Sequence, residues 1–140
     1  MAVYPFWLFG SNIFANNLFF DSQIEFQAQQ GVTNCVLVGN NYATNTLIAA
    51  VGGSAGGGLT NYFTMAAFRA GTGFEAGGTG TTNDPKCWSY TDSNLTNQQL
   101  QSSSLLKGAA VSLLPYGVVI PTTDIQGNST SPNSIGAFAQ

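Results

Sequence analysis

The clearest catalytic pattern in the chain is a G-x-S-x-G motif at residues 52–56, with Ser54 as its central serine. In serine hydrolases this motif forms a sharp turn after a strand and exposes a nucleophilic hydroxyl. The hydroxyl reacts only when a base takes its proton, and that base is ordinarily a histidine oriented by a carboxylate. The chain contains no histidine. We therefore interpret residues 52–58 as a glycine-rich turn and Ser54 as inactive.

A second serine motif, S-x-x-K, runs from Ser104 to Lys107 and would use the lysine as its base. Enzymes with this motif also carry S-D-N and K-T-G sequences, and neither occurs in the chain. The carboxylates show no spacing that singles out an acid–base pair. The sequence predicts no catalytic residue, so we expect the protein not to be an enzyme.

Cofactor and metal motifs are also incomplete. Residues 71–77 resemble a dinucleotide-binding loop, but the last glycine comes one residue late and Glu75 would face the pyrophosphate. Asp92, Asn94 and Thr96 alternate like calcium ligands, without the glycine turn or the final glutamate of a calcium loop. With two well-separated cysteines and no histidine, a zinc site is not expected. The prediction is no cofactor and no bound metal.

The composition is unusual in its shortage of charge. Charged residues make up 6% of the 140, where about 25% is typical, and 48 Asn, Gln, Ser and Thr residues take their place. Neutral polar side chains enter protein contacts without the desolvation cost of an ion. This favours a protein that contacts copies of itself, although a secreted protein of neutral composition is the alternative. With three cationic residues and a net charge of −3, nucleic acid is not an expected partner.

The two cysteines and two glycosylation sequons are relevant to the cellular compartment of the protein. Cys35 and Cys87 could close a disulfide loop of about 50 residues, or each could be a small buried apolar residue in a strand. Asn94 and Asn128 begin N-x-S/T sequons, candidate glycosylation sites that arise easily in an Asn- and Thr-rich chain.

The first 20 residues form the most apolar and aromatic stretch of the chain. They lack the basic start of a secretory signal and the roughly 18 uninterrupted apolar residues of a membrane span, so a transmembrane protein is not expected. Residues 1–20 are predicted to be either a strand of the chain's own core or an extended arm that docks on a neighbouring subunit. The aromatic residues predicted to make subunit contacts, together with one in the 71–85 loop, are Tyr4, Phe6, Trp7, Phe9, Phe14, Phe19, Phe20 and Phe74.

The remaining elements indicate a mainly β fold. Residues 22–29 alternate apolar and polar side chains as a half-buried strand does, and strand-like runs recur at 32–39, 44–51, 86–90 and 116–120. Residues 59–70 are compatible with a strand or a short helix. Seven or eight short strands separated by Gly and Asn turns predict a single β-sandwich or jelly-roll-like domain at 21–140, preceded by the arm at 1–20. The glycine-rich loop at 71–85 is long enough to suggest that it contacts something.

In composition and layout the chain is similar to small β-rich virion proteins, such as capsid-decoration and tail-surface subunits of tailed viruses. That similarity implies a non-enzymatic structural subunit on the virion surface, which would form a homo-oligomer and contact neighbouring structural proteins. The alternative is an extracellular filament or pilus-like subunit joined by N-terminal strand exchange. A carbohydrate-binding module with an exposed tryptophan is a further alternative.

Overall fold

The computed structural model describes residues 12–20, 25–27, 35–43, 47–52, 58–87, 99–124, 127–130 and 134–135. Short strands predominate in these residues, and there is little helix. The strands are β1 (Ile13–Ala15), β2 (Leu18–Phe20), β3 (Glu25–Gln27), β4 (Val36–Val38), β5 (Asn41–Ala43), β6 (Ala49–Gly52) and β7 (Leu59–Tyr62). One α-helix, α1 (Met65–Thr72), follows β7, and single 3-10 turns lie at Ala76–Gly78 and Leu114–Tyr116.

The first six strands form three parallel pairs. The chain runs through β1, β2 and β3 and then returns through β4, β5 and β6, and we call these two successive turns of the chain the first and second pass. β1 pairs with β4 and β2 with β5, and in both ladders the paired residues are 23 positions apart, as in Ile13 with Val36 and Leu18 with Asn41. β3 pairs with β6 at a spacing of 25. A chain that returns to the same strand positions after a nearly constant number of residues has the arrangement of a parallel β-solenoid.

A tight corner separates the two ladders on each pass. Asn16 on the first pass and Gly39 on the second both have left-handed backbone conformations, with φ of 55° and 69°. The Asn16 side chain donates to the Val111 carbonyl at 3.0 Å and accepts from the Val111 amide at 2.9 Å. This pair of bonds ties the corner to the C-terminal third of the chain.

The antiparallel hairpin of β6 and β7 leads into the helix. α1 begins after Thr64, whose hydroxyl accepts from the Ala67 amide at 3.2 Å, and ends at Gly73, which is left-handed at φ 74°. These are the usual start and stop signals of a helix, and they enclose a run of good helix formers. Phe68 is its buried residue.

The main core lies between the stacked strands and α1. Its buried members are Leu37, Tyr42, Ile48, Ala49 and Phe68. The ring of Phe68 makes edge-on or tilted contacts with three other aromatic rings at centroid distances of 5.7–6.0 Å. A second, smaller cluster joins the C-terminal third to the solenoid and contains Cys87, Leu100, Leu106 and Ile135.

The predicted β-rich class is confirmed, whereas the sandwich or jelly roll is not. Sandwiches and jelly rolls are built from antiparallel strands, but three of the four strand pairings among the described residues are parallel. The extended aromatic arm is also not confirmed. Its described part, residues 12–20, supplies β1 and β2 to the chain's own ladders, and residues 1–11 lie outside the described residues.

Within the parts of the chain that the structure describes, no helix combines the length and apolar character needed to cross a membrane.

Candidate functional site

A fully buried carboxylate, that of Glu75, lies between α1 and the central strands, and its side chain has no exposed surface. Glu75 follows the helix in a left-handed conformation, with φ 52°, and its amide donates to the Leu37 carbonyl at 2.8 Å. This places the residue along the free edge of β4. The glycine-rich loop therefore contacts its own chain.

Three neutral donors satisfy the carboxylate. Oε1 accepts from Asn40 Nδ2 at 2.6 Å and from the Tyr42 hydroxyl at 2.9 Å. Oε2 accepts from the Thr79 hydroxyl at 3.1 Å. A buried charge is tolerated when such donors replace the lost hydration.

Asn40 links this carboxylate to the first pass of the solenoid. Its Nδ2 also donates to the Phe14 carbonyl at 2.8 Å, and its Oδ1 accepts from both the amide and the Nδ2 of Asn17 at 3.0 Å. Asn17 and Asn40 are 23 residues apart, so they occupy the same corner on successive passes. This asparagine stack uses both Asn40 donors and connects both passes to Glu75.

Arg69, on α1, hydrogen-bonds to the backbone near Glu75 and not to the Glu75 carboxylate. Its guanidinium instead donates to two backbone carbonyls, those of Glu75 at 3.2 Å and of Gly80. These two hydrogen bonds connect both ends of the 75–80 segment to α1. Thr81 then pairs with the far edge of β5, because its carbonyl accepts from the Tyr42 amide at 2.9 Å.

The geometry of this polar cluster supports a structural role. Burial raises the pKa of the Tyr42 hydroxyl far above its ordinary value, and the negative charge of Glu75 raises it further. The side chains of Tyr42 and Glu75 are both fully buried, so neither is in contact with solvent. The cluster fastens residues 75–81 to the open side of β4 and β5.

The most exposed apolar surface among the described residues is a turn at residues 113–119, here called the 113–119 turn. Leu114 is 68% exposed, Tyr116 41%, Val118 38% and Val119 76%. These exposed apolar side chains lie close together in sequence, and contiguous exposed apolar surface marks contact sites more often than single exposed residues do. The sequence had suggested a strand at 116–120, but no described strand covers those residues.

The aromatic residues predicted to make subunit contacts divide into two groups. Phe14, Phe19 and Phe74 pack against the main core of this chain, and Phe20 lies in β2. Their contact with other subunits stays a prediction. In this chain, Phe14, Phe19 and Phe74 contribute to the chain's own core. The others, in residues 1–11, lie outside the described residues; they are Tyr4, Phe6, Trp7 and Phe9.

The remaining predicted sites are the two cysteines and the two sequons. Cys35 and Cys87 are both buried, and a disulfide between them stays a prediction. Burial, together with the nearby Asp84 charge, raises the pKa of the Cys87 thiol. Asn128 is exposed in a turn where its Nδ2 donates to Asp124 at 3.1 Å, and Asn94 lies outside the described residues.

Of the two motif serines, only Ser104 lies among the described residues. Ser104 is buried, and its hydroxyl accepts from the Leu106 amide at 3.2 Å, so it stabilises a turn. Ser54 lies outside the described residues. The described residues also contain no group of three or more Cys, Asp or Glu side chains arranged to hold a metal.

Sequence reasoning missed both the buried Glu75 and the exposed 113–119 turn. The sequence indicated Glu75 as an obstacle to phosphate binding and as one of several carboxylates without a distinctive spacing, and no local pattern connects it with Asn40. The signal for the 113–119 turn was present in Pro115-Tyr116-Gly117, because proline followed by glycine interrupts an otherwise strand-like run.

Models of known protein families, curated proteins and solved structures were all compared with this chain, and none of the three comparisons found a match.

Proposed function

We propose that the chain is a non-enzymatic structural subunit of a virus particle, located on the capsid or tail surface, which acts by assembling with copies of itself. The observation that supports this proposal best is the exposed apolar 113–119 turn in a chain with so little charge. A free monomer ordinarily keeps such surfaces small and surrounds them with charged residues.

The charge distribution agrees with that choice of partner. All nine charged residues lie outside residues 108–123, the segment that contains the exposed turn. A surface without ions can be covered by protein at little desolvation cost. The proposed partners are therefore copies of the chain and neighbouring structural proteins, with no role for nucleic acid.

The experiment that tests location uses immunogold electron microscopy on purified particles of the virus whose genome encodes the chain. The account predicts gold on the outer surface of intact particles. A matched particle preparation lacking the gene supplies the control. Labelling only in the unassembled fraction would contradict the proposal.

One observation favours a second candidate, an extracellular filament or pilus-like subunit joined by strand addition. The outer edge of β1 has no strand partner among the described residues, and Ile13 in that strand is 38% exposed. Exposed strand edges accept strands from other chains. Filaments of the purified protein in negative stain, with glycan on Asn94 or Asn128 in the native material, would favour this candidate over the first.

A further inference from the structure

Residues 75–81, here called the strap, take the place of a third pass of the solenoid. The Glu75 amide donates to the Leu37 carbonyl of β4 at 2.8 Å, and Thr81 forms a parallel bridge with Asn41 of β5. The opposite edges of β4 and β5 pair with β1 and β2, also in parallel. The strap therefore lies on the second pass much as the second pass lies on the first.

The strap follows this edge less closely than a pass does. Its two contact residues are six positions apart, whereas the second-pass residues that they contact, Leu37 and Asn41, are four apart. The strap takes up the difference in a turn that contains Gly77 and Gly78, which are both left-handed, with φ of 70° and 78°. Glycine regains more backbone freedom on release than any other residue. A strand that fits the edge better could therefore displace the strap.

The asparagine stack indicates which strand would fit. Asn17 Nδ2 donates to Asn40 Oδ1, and Asn40 Nδ2 donates in turn to Glu75 Oε1. The stack thus runs in one direction from donor to acceptor, and its last acceptor belongs to the strap. At its other end Asn17 is exposed, and its Oδ1 accepts no hydrogen bond from the described residues. The Asn17 Oδ1 of a second copy could therefore replace Glu75 Oε1 as the acceptor for Asn40.

The first pass also has a backbone edge beside that oxygen. The Asn12 carbonyl and the Asn16 amide bond to β4, so Ile13 and Ala15 direct their amides and carbonyls away from β4. Among the described residues, β4 is the one strand that pairs with β1. Stacked on β4 and β5 of another copy, β1 and β2 would keep the parallel direction that they have within the chain.

We propose that the strap is an autoinhibitory contact, which occupies the edge of β4 and β5 on which β1 and β2 of a second copy would otherwise stack. This inference goes beyond the proposed function, which assigns no role to the strap. β6 keeps β7 as its partner, so the contact is confined to β4 and β5. It joins two different surfaces, so its repetition would give a head-to-tail filament. Proteins commonly cover a strand edge with a loop to prevent such pairing.

Release of the strap should expose this edge in a folded chain. Glu75→Ala combined with Thr81→Pro removes the carboxylate that accepts from Asn40 Nδ2 and the amide that donates to the Asn40 carbonyl. Sedimentation velocity over a dilution series should show an association constant at least about 10-fold above that of the wild type, because the strap no longer competes for the edge. Negative-stain electron microscopy should show filaments. Glu75→Gln, which can keep the hydrogen bonds of the strap, is the matched control and should behave as the wild type.

Ala15→Pro tests whether the first pass of another copy is what stacks on this edge. The substitution removes an amide of β1 that faces away from β4, and edge strands tolerate proline. Added to the strap-release variant, it should return the association constant to the wild-type value. Filaments that persist with proline at this position would overturn the inference.

Two further variants separate this contact from partial unfolding. Arg69→Ala loosens the strap, because the guanidinium bonds to the Glu75 and Gly80 carbonyls, and it should also increase association. Leu106→Ala destabilises the second cluster, away from the strap, and should not. Urea midpoints and near-ultraviolet circular dichroism identify the folded variants.

The outcomes are distinct from those that test the proposed function. Folded strap variants that associate no more than the wild type would overturn the inference, and so would equal association of Leu106→Ala. A monomeric wild-type chain would contradict the proposed self-assembly and leave the role of the strap in place.

Discussion

At the level of single residues, Glu75 carries a negative charge into the interior and is held there by Asn40, Tyr42 and Thr79. Its position determines how the glycine-rich loop follows the central strands. The loop was expected to contact something because of its length. That it contacts its own chain could not be predicted from sequence, since two of the three donors for Glu75, Asn40 and Tyr42, lie more than 30 positions away.

Glu75→Gln and Glu75→Ala test whether the hydrogen bonds or the charge hold the cluster together. A glutamine can keep every bond, because its carbonyl accepts from Asn40 and Tyr42 and its amide donates to the Thr79 hydroxyl. We expect Glu75→Gln to change the free energy of unfolding by less than about 1 kcal/mol, and Glu75→Ala to lower it by about 3 kcal/mol. Urea denaturation measures both. Equal losses in the two variants would mean that the charge, and not the hydrogen bonding, is essential.

Tyr42 predicts an alkaline loss of stability. Its pKa is raised in the folded protein, by burial first and by Glu75 second, and it returns to about 10 on unfolding. The stability contributed by this group is therefore complete below about pH 10 and falls above it, by about 1.4 kcal/mol per pH unit.

Urea unfolding of the wild type and of Tyr42→Phe between pH 7 and pH 11 measures this loss. Tyr42→Phe should be less stable than the wild type at pH 7, by about 1 kcal/mol for the lost hydrogen bond. The difference should shrink or reverse by pH 11, because phenylalanine cannot ionise. If the difference in the free energy of unfolding between the two proteins stays constant across this pH range, Tyr42 ionises normally in the folded state.

At the level of elements, the sequence predicted individual strands better than their pairing. The alternation at 22–29 contains β3, and the ambiguous stretch at 59–70 contains both a strand, β7, and most of a helix, α1. The parallel stacking was not predicted, because residues 23 positions apart are seldom identical. They share an apolar character and an asparagine at the corner, at positions 17 and 40. Val36 stands opposite Ile13, and Asn40 lies one pass beyond Asn17.

The corner at Gly39 offers a test of this stacking. A Cβ at position 39 would lie 2.6 Å from Val111 Cγ2 and 2.7 Å from Asn16 Oδ1, in addition to the strain of a φ of 69°. Gly73, at the end of α1, has a similar φ of 74° but no atom within 4 Å of such a Cβ, so it is the matched control.

We expect Gly39→Ala to lower the free energy of unfolding by about 3 kcal/mol and Gly73→Ala by about 1 kcal/mol. Thermal or urea unfolding of both variants provides the comparison. Similar losses at the two positions would mean that the corner of the solenoid is not packed closely against Val111.

At the level of the whole molecule, the aromatic residues predicted to make subunit contacts are not the most exposed apolar residues among those described. Phe14, Phe19 and Phe74 pack inside the chain. The exposed apolar surface lies instead at residues 113–119, which the sequence had suggested as a strand. Composition indicated that contacts with copies were favoured, but it could not locate them, because the exposure of an apolar residue depends on tertiary packing.

The central claim is that this chain associates with itself through an apolar surface. Its most direct test is the molar mass of the full-length protein, measured by sedimentation equilibrium over a dilution series at low and high salt. The account predicts a mass of at least twice the 14.6 kDa of one chain, with an association constant that does not fall as salt increases. A mass of one chain at every concentration would contradict it.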